Sequence, residues 1–557
     1  MIGDKHSPAS VVRTWARLAA AALTAEREAL NRVNVFPVAD ADTGTNLYLT
    51  VREGAHRVAA ADPELGAAAL MREFARGALV GARGNSGVIL SEWLRGLSTA
   101  AQDGQGIEVA LQAAATAARV AVVEPAVGTI LTAADVAAEQ AVAAAQAAGA
   151  TVDEVLAAAV EGARAAALDS PRQMAALARA GVLDAGACGL VLILEALRLA
   201  SEFERARAAD PAPIAAASLG ADADRPASAP PASVSELRRL RVDLGLSLTG
   251  HHGEGHIPGF GDDDHFLAGA PAVGGDEFEV MFTLTSAQPE GQDVAAAVRQ
   301  RLQAVGKSVV VVGGGGTWQA HAHTEALADT LAAVDSLSAD LLAVPFAQVR
   351  HLHPLPDGTV GEVSVVATTI APTVAADLAR AGVCVLLPVA GEVTPSDLAA
   401  SALGGQAAGA IVLSADSVGV YAAGAALAQA YREEGEPEAE LLLQHVTTVN
   451  DLETVVAVAA LVTSAGDPLE DRLADALAAL GGIVEFQGPA AVALEWLAAR
   501  PLGPDCLVTA LLGMEVTDSQ RVELAAIAGG VGAELNPVET GAAGDHIELG
   551  VESGAAG

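Results

Sequence analysis

Apolar residues recur at three- and four-residue spacing through the first 200 positions, and that spacing predicts helices. An amphipathic helix is expected over residues 9–33. Periodic runs follow around Leu70–Leu79, Val109–Val123, Ala133–Ala148, Val152–Leu168 and Leu190–Leu199, with short glycine-containing breaks between them. Helices joined by such brief connections make this part all-α.

The periodicity ends at residues 205–233, where Ala-Asp-Pro-Ala-Pro and Asp-Arg-Pro-Ala-Ser-Ala-Pro-Pro-Ala-Ser occur. A disordered Pro/Ala-rich linker is expected over 202–236. Beyond it, Phe278–Leu284 and Trp318–His323 alternate, Val309–Val312 is a buried-strand run, and Glu325–Val334 is helical in pattern. From near residue 360, strands at Val363–Thr368, Val383–Leu387 and Ala410–Leu413 alternate with helices at Val374–Arg380, Ser396–Leu403 and Gly419–Ala430. That order argues a parallel α/β sheet, with later strands at Leu507–Leu512 and Ile547–Val551. The expected architecture is multidomain: an all-α domain at 8–201, the linker, an α/β middle domain at 237–354 and an α/β C-terminal domain at 355–557. The His/Asp/Gly-rich stretch at 250–276 is read as a flexible insertion.

A length of 557 residues fits about three domains. Apolar residues make up 52% and aromatics 3%, so the cores are built from small side chains, alanine above all. The formal net charge of −38 argues against nucleic acid or an anionic membrane as partner, since both select basic surfaces. Cys188, Cys384 and Cys506 lie far apart, which fits a reducing cytoplasm. No signal peptide and no membrane-spanning run is expected.

The chemistry concentrates in Asn34-Val-Phe-Pro-Val-Ala-Asp40-Ala-Asp42-Thr43-Gly44-Thr45-Asn46. Two carboxylates one residue apart suit Mg²⁺, a hard cation that takes oxygen ligands. The following turn opens a helix whose free N–H groups favour an anion. An N-cap beside a solvated loop carboxylate is the plainer reading. Asn34 adds a further oxygen donor nearby. A second loop, Gly81-Ala-Arg83-Gly84-Asn85-Ser86-Gly87, offers close backbone approach, two side-chain donors and an arginine able to stabilise phosphate charge. Gly128-Thr129-Ile130-Leu131-Thr132 and Asp184-Ala185-Gly186 open two more helical runs; each alone is no better than a helix boundary.

Taken in order, these segments resemble the ATP-binding subunit of bacterial fatty acid kinase, whose N-terminal domain is similar to the nucleotide-binding L subunit of dihydroxyacetone kinase. The resemblance implies an eight-helix barrel that binds ATP at one end. Asp40 and Asp42 match metal-binding aspartates, with Asn34 at the place of a third, and Arg83 joins the aspartates as a catalytic candidate. Thr43, Gly44, Thr45 and Asn46 match the phosphate turn, and Asn85 and Ser86 the second phosphate loop. Thr129 and Ile130 would flank the nucleotide, and Asp184 and Gly186 would close its pocket. The implied cofactors are ATP and Mg²⁺. The implied partner is a separate fatty acid-binding protein that presents the acyl substrate, and a homodimer is expected. The implied reaction moves the γ-phosphoryl of ATP to a fatty acid carboxylate. A carboxylate is already ionised at neutral pH and needs no general base, which agrees with motifs that lack histidine. A glycerone-type kinase acting on a small polyol and a non-catalytic nucleotide-sensing scaffold are the alternatives.

In the middle domain, His321-Ala-His323 places two imidazoles on one strand face. Such a pair suits Zn²⁺, and equally two hydrogen-bonded histidines at a strand end. Where the family carries a cysteine, this chain has Glu279, so a zinc site would rest on Glu279, His321 and His323. The C-terminal domain offers no catalytic constellation. The resemblance makes it a docking module, and its parallel sheet suggests a small-molecule site at strand ends.

Overall fold

A computed structural model describes residues 8–36, 42–123, 125–209, 277–286, 294–314, 316–338, 342–352, 363–403, 409–433, 442–464 and 467–553. The expected insertion at 250–276 and most of the expected linker lie outside these residues.

The N-terminal part is helical, as its periodicity requires. Its elements are α1 (Pro8–Arg32), α2 (Thr43–Ala60), α3 (Ala67–Gly81), α4 (Gly84–Gln102), α5 (Ile107–Ala121), α6 (Ile130–Ala145), α7 (Val152–Gln173), the short α8 (Ala175–Ala180) and α9 (Ala185–Ala209). α9 thus runs past the domain end expected at 201. Thr14 on α1 donates to Glu204 Oε1 at 2.6 Å, tying that extension down. α7 begins at a capping box in which Thr151 and Glu154 satisfy each other's backbone N–H groups. Packing runs from each long helix to the next, α1 through α7, and α9 closes on both α7 and α1.

Small residues make these contacts possible. A β-carbon on Gly54 would lie 2.3 Å from Phe74 Cδ2, one on Gly77 2.4 Å from Glu53 O, and one on Gly96 2.6 Å from Ala114 Cα. Within the core, Trp15 meets Phe74 edge-on at 5.1 Å and donates from Nε1 to Ile193 O at 3.0 Å. The buried Trp nitrogen therefore has a partner, as burial demands.

The remaining chain is α/β. A nine-stranded sheet has the order β2 (Lys307–Gly314), β3 (Thr317–Thr324), β1 (Phe278–Ser286), β5 (Phe346–His351), β7 (Cys384–Pro388), β6 (Val363–Thr368), β8 (Gly409–Ser414) and β9 (Leu442–Thr447), with β4 (Leu342–Ala343) beside β1. β7, β6, β8 and β9 are mutually parallel and carry the predicted crossover helices. A separate four-stranded sheet has the order β10 (Ile483–Pro489), β13 (His546–Ser553), β11 (Cys506–Leu512) and β12 (Glu534–Glu539). The helices of this part are α10 (Val294–Gln303), α11 (Leu327–Ser338), α12 (Pro372–Arg380), α13 (Pro395–Leu403), α14 (Ser417–Glu433), α15 (Asp451–Thr463), α16 (Leu469–Gly482), α17 (Ala490–Ala498) and α18 (Asp518–Gly530).

The line expected at 354/355 does not separate two sheets. β5 pairs antiparallel with β7, Phe346 opposite Pro388 through Val349 opposite Val385. By compactness the chain divides into two units. One holds residues 1–275, 287–303 and 308–321; the other holds 276–286, 304–307 and 322–557. Among the described residues no helix is long and apolar enough to cross a membrane.

Candidate functional site

Four helices of the N-terminal part begin at the segments singled out by sequence: α2 at Thr43, α4 at Gly84, α6 at Ile130 and α9 at Ala185. Glycines bring these starts together. A β-carbon on Gly84 would lie 2.2 Å from Asn46 Nδ2, and one on Gly87 2.4 Å from Thr50 Oγ1, so α2 and α4 meet at their first turns. One on Gly189 would lie 2.2 Å from Leu47 Cδ1, and one on Gly186 3.1 Å from Ile130 Cβ, so α9 touches both α2 and α6. A helix start carries N–H groups without an intrahelical partner and about half a positive charge. At α6 and α9 these groups are taken up by Thr129 and Asp184, which leaves the first turns of α2 and α4 as the anion-favouring end.

The side chains there are oxygen-rich. Thr43 Oγ1 and Ser86 Oγ lie 3.4 Å apart, one from α2 and one from α4. Asn85 Oδ1 is buried and has no hydrogen-bond partner among the described residues. An acceptor so placed fits a cation or a donor that arrives with a ligand. Asp42 is half-buried at the N-cap of α2, and its side chain makes no cap bond. Asn34 is buried, with its backbone N–H on Asn31 O at 3.1 Å. Asp40 lies outside the described residues. Hard oxygen donors beside an anion-favouring end suit Mg²⁺ with phosphate oxygens.

Other singled-out residues have structural duties. Thr45 donates its N–H to Asn31 Oδ1 and accepts at its hydroxyl from Asn31 Nδ2, at 3.0 Å each, so Asn31 clamps the end of α1 to the start of α2. Gly44 sits against Arg27 O, where a β-carbon would lie 2.1 Å away. Thr129 caps α6 by accepting from Leu131 N. Arg83 donates from Nη1 to the carbonyls of Val80 and Ala82 at 3.3 and 2.9 Å, which turns it back onto the end of α3.

Asp184, expected to close the pocket, acts as a staple. It accepts from Ala187 N at 2.7 Å and from the backbone N–H groups of Ile130 and Gly186, joining the starts of α6 and α9. Its own N–H donates to Ser170 Oγ at 3.0 Å. Burial pushes its carboxyl up to about 7, against the pull of those three donors. Sequence reasoning missed Asn31 and Ser170. Both act through contacts across helices, which no local pattern reveals.

In the nine-stranded sheet, Glu279 on β1 and His321 and His323 on β3 are all buried. They offer one ligand atom each, and these atoms lie within 4.8 Å of one another. Burial lowers the His321 imidazole to about 3, which keeps it in the neutral, metal-ligating form at neutral pH. His323 Nδ1 lies 3.7 Å from Glu277 Oε1, and Lys307 Nζ lies 3.3 Å from Glu277 Oε2. At the carboxyl ends of β8 and β9, Ser414 Oγ and His445 Nε2 lie 3.0 Å apart.

Two domain families match the chain. Residues 37–199 match the DAK2 domain family, and residues 276–338 match the FakA-like middle domain family of fatty acid kinase. The chain is similar to protein YloV of Bacillus subtilis, with 37% identity over 195 residues, 33% of this chain and 34% of that protein. It is similar to an uncharacterized protein of Staphylococcus epidermidis, with 35% identity over 194 residues, 34% of this chain and 35% of that protein. The chain thus spans about a third of the length of these relatives. Among solved structures, the dihydroxyacetone kinase from C. freundii in complex with AMP-PNP and Mg²⁺ aligns at 23% identity and a TM-score of 0.28, covering 34% of this chain and 33% of that one.

Proposed function

We propose that this chain is the nucleotide-binding component of a two-component kinase, and that it transfers the γ-phosphoryl of Mg-ATP to a fatty acid carboxylate presented by a separate lipid-binding protein. The observation that carries this reading is the meeting of the first turns of α2 and α4 around Thr43, Ser86 and Asn85, whose Oδ1 has no hydrogen-bond partner among the described residues. The DAK2 match over 37–199 and the FakA-like middle-domain match over 276–338 support the kinase class and a separate partner protein.

In this reading Asp40, Asp42 and Asn34 hold Mg²⁺, which supplies charge neutralisation at the phosphates. The first turns of α2 and α4 bind phosphate oxygens through backbone N–H groups and the Thr43 and Ser86 hydroxyls. Gly84 and Gly87 let the two turns close on the ligand. Asn85 completes the polar wall, and Ile130 packs beside the nucleotide. Phosphoryl transfer asks for positioning and charge neutralisation more than covalent help, and an ionised carboxylate acceptor needs no base.

The test is to purify the chain with native partners, identify the bound lipid, and follow ATP consumption. Acyl-phosphate formed only with partner and fatty acid supports the proposal. Turnover with dihydroxyacetone alone favours a polyol kinase, and nucleotide binding without turnover favours a sensing scaffold.

A second reading concerns the nine-stranded sheet. We infer that Glu279, His321 and His323 hold Zn²⁺, with Glu277 orienting His323 through Nδ1, the usual role of a carboxylate behind a ligating imidazole.

A further inference from the structure

A cavity of about 740 Å³ opens on the outer faces of α4 and α5, bounded also by α10, β2 and β3. All of its walls belong to one compact unit of the chain. The volume falls within the ~300–1,000 Å³ usual for small-molecule sites. Its floor is apolar and built from small or flat groups, among them Ala113, Ala117, Val312 and Trp318. The small residues leave the space; larger ones at 113 and 117 would fill it.

The charges at the cavity are the reverse of the chain's. The protein carries −38 overall, yet the lining holds two arginines, Arg95 and Arg299, and one acid, Glu92. Glu92 is buried and already committed: it accepts from Gly313 N at 3.1 Å and pairs with Arg95. Arg299 is fixed in place by donating from Nε to Ala295 O and from Nη1 to Val120 O, each at 3.1 Å. A guanidinium anchored on two carbonyls is held rigid beside an apolar cavity. That combination suits an apolar body ending in a single anionic group.

We propose that this cavity binds an amphiphilic carboxylate, an aliphatic chain laid against Ala113, Ala117, Val312 and Trp318 with its carboxylate at Arg299. The site is distinct from the helix-start end and does not rest on the kinase reading, because binding here requires neither ATP nor a partner.

The experiment titrates the full chain, without nucleotide, with dodecanoate, dodecanol and dodecylammonium by calorimetry. Dodecanoate is expected to saturate at one per chain and to bind at least ~10-fold more tightly than the other two, as one charged contact provides. Ala117→Phe should abolish this binding with an unchanged melting temperature, and Arg299→Leu should bring dodecanoate down to the level of dodecanol. Absence of saturable binding, equal binding of the ammonium, or full binding by a folded Ala117→Phe chain overturns the proposal. Should Ala117→Phe unfold, a diazirine-bearing dodecanoate decides. Labelling within Ile107–Ala121 or Thr317–Thr324 supports the site, and labelling elsewhere refutes it.

Discussion

Asn46 and Gly84 interlock where the first turns of α2 and α4 meet: a β-carbon on Gly84 would lie 2.2 Å from Asn46 Nδ2. Gly84 also has φ +55, a conformation that side-chain-bearing residues rarely adopt. Gly84→Ala is therefore strained twice, at its own backbone and against Asn46. It should cost about 1–3 kcal/mol of stability and weaken ATP binding at least ~10-fold. Adding Asn46→Gly should relieve the steric part and leave the backbone part. Thermal melts of the single and double variants with ATP titrations check this, and a fully stable Gly84→Ala chain would contradict the close approach.

Asp42 stands at the N-cap of α2 with no cap bond to lose. Asp42→Ala should leave the fold intact, because residue 42 stands at a helix boundary outside the hydrophobic core. Phosphoryl transfer should fall by at least ~100-fold, since a metal clamp at phosphate supplies several kcal/mol. Asp40→Ala is expected to behave alike. Near-normal transfer by either variant removes the metal assignment.

Asp184 gives the helical domain a pH dependence. Its buried carboxyl titrates at about 7, above the 3.8 of an unburied aspartate. The folded state then binds this proton more tightly than the unfolded one. The associated stability is fully present below about pH 4 and is lost as pH rises through about 7. Asp184→Asn keeps an oxygen to accept from Ala187 N and removes the titration. Urea melts between pH 5 and 8 should show the wild type losing stability with rising pH and the variant tracing a flatter line. Parallel profiles would mean that the three backbone donors hold the carboxylate ionised throughout.

Much of this arrangement was legible in the chain. Helical periodicity marked the long helices of the first part, because each buries one apolar stripe; α3, for example, spans the run seen at Leu70–Leu79. The four glycine-bearing helix starts were visible as motifs, but not that Gly84 meets Asn46 or that Gly186 meets Ile130, since those contacts join residues far apart in sequence. The pocket role of Asp184 came from the resemblance alone; its bonds to the starts of α6 and α9 were not legible, because an aspartate before a helix serves equally as ligand or cap. β10 escaped notice because most of its residues are at least partly exposed and its burial does not alternate. The pairing of β5 with β7 was hidden for another reason: a strand's sequence does not name the neighbour at its edge.

The three buried ligand candidates Glu279, His321 and His323 make a stoichiometric prediction. Protein purified without chelator should carry about one zinc per chain. His321→Ala with His323→Ala should release it and lower the stability of the α/β part, because structural metal contributes folding free energy. Glu277→Gln should weaken zinc retention by ~10–100-fold while leaving the ligands in place. Metal-free wild-type protein with an unchanged melting temperature would leave two buried neutral histidines and no site.

The pairing of β5 with β7 decides where this chain can be cut. A protein ending at residue 354 keeps β5 and loses the strand on its far side, from Val385 to Pro388. Ala347 and Val349 are fully buried in the intact sheet, so the cut would bare a strand edge with apolar side chains beside it. Unpaired edges of this kind template pairing with other chains. The truncated protein should therefore form dimers or larger species in light scattering, at concentrations where the full chain keeps its own state. Placing a proline at Val349, whose position in β5 faces both β1 and β7, should break the pairing and restore the smaller species at a cost in stability. If the chain ending at 354 scatters like the intact protein, then β5 closes its own edge, and the middle and C-terminal parts are separable after all.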